Sequence, residues 1–149
     1  MSADRFVISC IPEEGSDVIL GSISIRRCVG CVKCLTENVS ECAIKDDFTP
    51  ILKRILSSEC LEMRFVPEHG AVPDRARKAV ERISNILDSY TNCGGNEPRP
   101  MEDVSLRKVV LVYKGNFADR MESEIIRALT KGPVSDISVI DLDRSERRC

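Results

Sequence analysis

No run of apolar residues in this chain approaches the roughly 20 needed to cross a bilayer as a helix, so no membrane-spanning segment is expected. Nor does one sign of charge dominate. Lys and Arg number 22 against 24 Asp and Glu, a formal net charge of -2, and both signs are interspersed along the chain. Nothing in that balance recommends nucleic acid or an anionic membrane surface as a partner. Internal repeats are absent, and 149 residues leave no room for a second full domain, so residues 1–149 are expected to form one. Nor is a secretory signal expected, since Met1-Ser2-Ala3-Asp4-Arg5 leads directly into a strand-like run. The expected location is the cytosol, where a disulfide framework is not.

Against that background the eight cysteines are conspicuous. Four of them fall in one segment, Cys28-x-x-Cys31-x-x-Cys34-x7-Cys42, inside a cysteine-rich loop spanning 26–47. Thiolates at steps of three cannot all pair with one another, but a loop folded on itself can point four sulfurs at one soft centre. An iron-sulfur site is the first reading. Zinc is the alternative metal, although most structural zinc sites use two separated Cys-x-x-Cys knuckles. A third alternative is a loop that keeps its thiols without a metal. Arg26, Arg27, Lys33 and Lys45 flank the thiols and either offset their charge or form a solvated basic face. Cys10 and Cys60 read as small core residues, and Cys93 as an exposed thiol.

The pattern along the chain is strand alternating with helix. Strand-like runs cover Arg5 to Ile11, Val18 to Arg26, Cys60 to Val66, Lys108 to Tyr113 and Ser135 to Leu142. Helical periodicity covers Phe48 to Ser58, Pro73 to about Ser89 with Ala76, Ala79, Val80, Ile83, Ile86 and Leu87 as its buried stripe, and Ala118 to Thr130. Asp46 and Asp47 precede the first helix and suit its cap and first turn. Such alternation argues for an α/β fold with a mostly parallel sheet and ligands at the carboxyl ends of its strands.

The cysteine motif running into Ile44-Lys45-Asp46-Asp47-Phe48, followed by helix, strand, a Gly70-Ala71-Val72-Pro73 loop and a long helix containing Glu81-Arg82, resembles the iron-sulfur flavoproteins. These are grouped with the NADPH-dependent FMN reductases, and the match runs from Arg27 to Leu142. The resemblance implies a flavodoxin-like fold, FMN at the strands' carboxyl ends, and a [4Fe-4S] cluster held by Cys28, Cys31, Cys34 and Cys42. It also implies two flavin-contacting loops, here Pro67-Glu68-His69-Gly70 and Gly115-Asn116. His69, the single histidine, then either donates a proton to a reduced cofactor or is an ordinary loop residue.

The chain departs from that pattern at its start. Only Pro12 to Asp17 separates the first two strand-like runs, where the family has a phosphate loop and a helix, and this link carries Glu13, Glu14 and Asp17. So short a link favours a hairpin and an antiparallel second strand. The expected architecture is a flavodoxin-like sheet reduced to two layers, lacking the first and last helices. The open face, where Glu62 and Arg64 alternate with Leu61, Met63 and Phe65, is expected to be solvated or covered by a partner, most simply a second copy in a homodimer, or to dock in a redox assembly. Three functions remain: cluster-based electron transfer to a partner, FMN-dependent NAD(P)H reduction, and a non-catalytic interaction subunit without cofactor.

Overall fold

The computed structural model describes residues 4–10, 14–27, 44–88 and 104–142. Their strands are β1 (Arg5–Ser9), β2 (Val18–Ile19), β3 (Cys60–Phe65), β4 (Lys108–Tyr113) and β5 (Asp136–Asp141). The helices are α1 (Phe48–Ser57), α2 (Asp74–Leu87) and α3 (Asp119–Leu129), and a 3-10 turn covers Leu20–Ser22. All neighbouring strands pair in parallel in the order β2-β1-β3-β4-β5. The link from β1 to β2 steps one way, and from β2 onward every crossover moves the other way along the sheet, so right-handed connections place α1, α2 and α3 on one face.

That face is the core. Phe6 and Ile8 of β1, Leu61 and Met63 of β3, and Val109 and Leu111 of β4 meet Phe48, Leu52 and Ile55 of α1 and Ala79, Ile83 and Ile86 of α2, all buried in one cluster. Strand positions of the opposite parity, Val7, Cys60, Glu62 and Val110, are also buried but lie outside this cluster, as the two-residue period requires. Among the described residues no helix lies on that second face.

Its centre is ionic. The Glu62 side chain, only 6% exposed, takes Arg5 Nη1 at 2.7 Å on one carboxylate oxygen and Arg64 Nε on the other. The alternation that suggested a solvated face therefore marks a charge buried because it is doubly paired. No helix among the described residues is long and apolar enough to cross a membrane.

The second strand corrects the expectation of a hairpin. β2 is two residues long and runs parallel to β1, with Val18 beside Ile8 and Ile19 beside Ser9. A parallel return usually needs a helical crossover because the chain must travel back the whole length of a strand. Here it re-enters next to the last residues of β1, so it travels back almost nothing. Asp17 secures the join: its carboxylate accepts the Val7 N–H at 2.7 Å and its own N–H donates to the Val7 carbonyl at 2.8 Å. Asp17→Ala is expected to release β2 at a cost of about 1 kcal/mol, measured by denaturant unfolding together with faster exchange of the Val7 amide. The remainder of the expected Val18 to Arg26 strand is the 3-10 turn followed by residues that join no strand.

Candidate functional site: the stems of the cysteine loop and the carboxyl-end loops

Cys28, Cys31, Cys34 and Cys42 lie outside the described residues, as do Lys33, Cys93 and Cys149. What the structure does show is how the chain on either side of the four thiols is held. The stem leading in, Ser24 to Arg26, and the stem leading out, Asp46 and Asp47, are bonded side by side. Ser24 N–H donates to Asp47 Oδ2 at 2.7 Å, Asp47 N–H to the Ser24 carbonyl at 3.2 Å, and Arg26 N–H to Asp46 Oδ2 at 2.8 Å.

The reason for this pairing lies in α2. Arg82 sits on the buried stripe between Ala79 and Ile83, with its side chain 0% exposed. Its Nη1 donates to Asp46 Oδ2 at 2.5 Å and to the Arg26 carbonyl at 3.3 Å, while Nη2 donates to Thr49 Oγ1 at 2.8 Å. The guanidinium also lies over the Phe48 ring, 5.3 Å from its centroid. The Asp46 side chain is 1% exposed, and its second oxygen accepts the N–H groups of Phe48 and Thr49 at 3.1 Å each, which caps α1. The Thr49 hydroxyl donates to the Ile44 carbonyl.

The two aspartates thus divide the work expected of them jointly: Asp46 caps α1, and Asp47 bonds across to the other stem. Burial pushes the Asp46 carboxyl toward a higher pKa. The Arg82 hydrogen bond, the Arg26 and Thr49 N–H groups and the Arg82 charge outweigh this, and the net shift is downward. Arg27 adds an exposed contact to Glu81 at 3.5 Å, and Lys45 is exposed.

Sequence reasoning noted Arg82 only as part of the motif behind the resemblance and gave it no role. Its signal was faint but present: an arginine at a stripe position of an amphipathic helix must either break the stripe or find a buried counter-charge.

The two loops implicated by the resemblance do come together at the carboxyl ends of β3 and β4. Glu68 and Ala71 exchange backbone bonds at 2.8 and 3.0 Å around a tight turn whose central residues, His69 and Gly70, have φ of 53° and 78°. Positive φ at both central positions is the twist that suits a two-residue hairpin. His69 is exposed at its tip. Ala118 N–H donates to the Gly70 carbonyl at 2.9 Å, and a β-bridge joins Gly70 to Phe117. A Cβ placed on Gly115, whose φ is 121°, would lie 3.6 Å from Pro67 Cδ. Asn116 is exposed beside it. The two loops are fastened to one another at this end of the sheet.

Between β1 and β3, where the strand order reverses, lies a cleft of about 450 Å³ lined by Cys10, Gly21, Val66, Glu68, Asp74 and Arg75. A flavin phosphate there would need a helix start after β1. The described part of the link offers instead Glu14 and Asp17, and the Asp17 carboxylate already occupies the Val7 N–H. Arg75 turns away to the Leu20 and Ile23 carbonyls, at 3.4 and 2.9 Å. The described residues therefore do not fit the usual FMN phosphate site. Burial, then the nearby Glu68 charge, push the Cys10 thiol up to about 11, so it stays protonated. Among the described residues no group of three His, Cys, Asp or Glu side chains is arranged to hold a metal.

No protein-family model matches the chain, and no curated protein matches it. Its fold is similar to that of a solved NAD(P)H:quinone oxidoreductase from Methanothermobacter marburgensis, with a TM-score of 0.58 over 95% of this chain and 87% of that one, at 12% sequence identity. At that identity the likeness establishes the fold, a flavodoxin-like α/β sheet, and leaves function to the site.

Proposed function

We propose that this chain is a redox protein that holds an iron-sulfur cluster, [4Fe-4S], through Cys28, Cys31, Cys34 and Cys42 and passes electrons to a protein partner. The observation that carries this reading is the pairing of the loop's two stems, fixed by Arg82 and Asp46, around a four-thiol segment with cluster-like spacing. A bound cluster would supply one-electron transfer. The chain's own part is to bring the thiols together, to exclude water with the buried layer beneath the stems, and to place positive charge nearby.

The test is anaerobic purification with iron, sulfide and zinc analysis and an absorbance spectrum. The expected result is broad violet absorption with iron and acid-labile sulfide in equal amounts, about four of each per chain. Zinc without colour assigns the loop to the alternative metal, and neither metal defeats the reading.

A second reading, an FMN-dependent NAD(P)H reductase, is favoured by the fold similarity to a quinone oxidoreductase. Resolved flavin bands in the same spectrum would support it, against the poor phosphate site. The third, a cofactor-free interaction subunit, predicts a colourless protein. A cytosolic location and a second copy on the sheet face that carries no helix among the described residues belong to the same proposal, and elution of the same preparation at monomer size at high concentration would count against the homodimer.

A further inference from the structure

We infer that two copies of this chain pair antiparallel along β5, joining their sheets edge to edge about a two-fold axis. The inference is independent of the cofactor reading, and it concerns the edge of the sheet, a different surface from the face considered above.

Three observations support it. First, β5 ends the strand order and is bonded to β4 alone, so among the described residues nothing meets the N–H and C=O groups on its outer side. Second, β5 lacks the usual protections of an exposed edge. The opposite edge, β2, is blunted by being only two residues long, whereas β5 runs for six residues in unbroken register with β4 and contains no lysine, arginine or proline. Third, apolar side chains stand half-covered on both sides of the sheet beside this edge. On the helix side, Ile137 and Val139, with Met121, Ile125 and Ile126 of α3, are only partly buried against the core. On the other side, Ile140 is 41% and Leu142 37% exposed.

A second copy answers all three. A two-fold axis perpendicular to the sheet keeps the helices of both protomers on one side and runs the two β5 strands antiparallel. The outer groups of each strand then become partners for the other, as in strand addition generally. Residues that face each other share a side of the sheet, so even-numbered positions meet even and odd meet odd. Asp136 and Asp141 point to opposite sides. With Ser138 on the axis, Ile137 meets the partner's Val139; with Val139 on the axis, Val139 meets its own counterpart. In neither register does one aspartate oppose another, which would be unfavourable. A stable interface buries about 1,200–2,000 Å² in total, more than two short strands supply. The remainder comes from the half-covered side of α3, which the axis brings toward its own copy.

The test is sedimentation of the full chain over a wide concentration range, with hydrogen exchange of the β5 amides read at both ends of it. Wild type is expected to form dimers as concentration rises, and the alternate amides between Ile137 and Ile140 that point away from β4 are expected to gain protection with them. Ser138→Lys and Ile140→Asp lie on the side of β5 away from the core. The first sets like charges near the axis, and the second adds a carboxylate beside the partner's Asp136. Each is expected to raise the dimer dissociation constant about 10-fold or more, because the two-fold counts every substitution twice. Val66→Lys, an exposed change just past the end of β3 and two strands in from the edge, is expected to leave it unchanged.

Wild type that stays monomeric at every concentration overturns the inference. Dissociation by Val66→Lys but not by the β5 variants moves the contact to the sheet face and also overturns it. Where the β5 variants fail to fold, wild-type β5 amides whose exchange does not change with concentration overturn it instead. None of these outcomes bears on whether the chain holds a metal, which the absorbance spectrum and metal analysis decide separately.

Discussion

Replacing Cys31 and Cys34 together with serine is expected to abolish iron incorporation while leaving far-UV circular dichroism close to wild type. Serine hydroxyls are hard, weakly acidic donors, and soft iron-sulfide centres are held by thiolates. Removing two of four ligands leaves too few to retain a cluster against exchange with solvent. The secondary structure is expected to persist because the helices and strands take their stability from the cluster of Phe6, Ile8, Leu61, Leu111, Phe48 and Ile83, none of which belongs to the loop. The loop's attachment is likewise independent of its thiols, since Asp46, Asp47 and Arg82 make it. Iron and sulfide analysis of the double variant decides the matter. Iron content equal to wild type would sink the assignment of these cysteines.

Asp46→Ala is expected to be the most damaging single substitution at the site, lowering stability by about 3–5 kcal/mol, the cost typical of removing one partner from a buried ion pair. The loss has two sources. Arg82 is left charged and fully buried with only the Arg26 carbonyl and Thr49 hydroxyl as partners, and α1 loses the acceptor for its Phe48 and Thr49 N–H groups. Denaturant unfolding measures it. A change under about 1 kcal/mol would show that the buried Arg82 charge does not depend on Asp46.

The same pair predicts an acid response. The folded Asp46 pKa lies below its unfolded value, so the unfolded chain binds the proton more readily. The stabilisation is therefore fully present above the ordinary aspartate range. It declines as pH falls below that range toward the folded pKa, and below both values it is gone. Unfolding free energy followed from neutral to strongly acid pH should fall less steeply in Asp46→Ala than in wild type.

The periodic elements were legible because their signals are local. The apolar spacing of Phe48, Leu52, Ile55 and Leu56 marks α1 within one residue of its observed end, and the stripe from Ala76 to Leu87 marks α2. The strands β3, β4 and β5 sit within a residue or so of the runs that announce them, since hydrophobic periods of 2 and 3.6 are carried by consecutive residues. The missing helix after β1 was also readable, because six residues from Pro12 to Asp17 cannot contain it.

The direction of β2 was not readable. Link length argues for a hairpin only when the returning strand must pair along its whole partner, and how far Val18 slides along β1 is set by the Asp17 bonds to Val7 and not by the link. The Glu62 ionic centre was hidden in the same way, since an alternating strand looks alike whether its polar face meets water or two arginines.

The cysteine spacing announces a chemistry from neighbouring residues alone, whereas the partnership that holds its stems does not. Arg82 meets Asp46 across 36 residues, and nothing within either segment records the other. A buried charge is tolerable only where folding delivers its counter-charge, and that delivery is a property of how α2 packs against the sheet and α1, settled by the whole core at once.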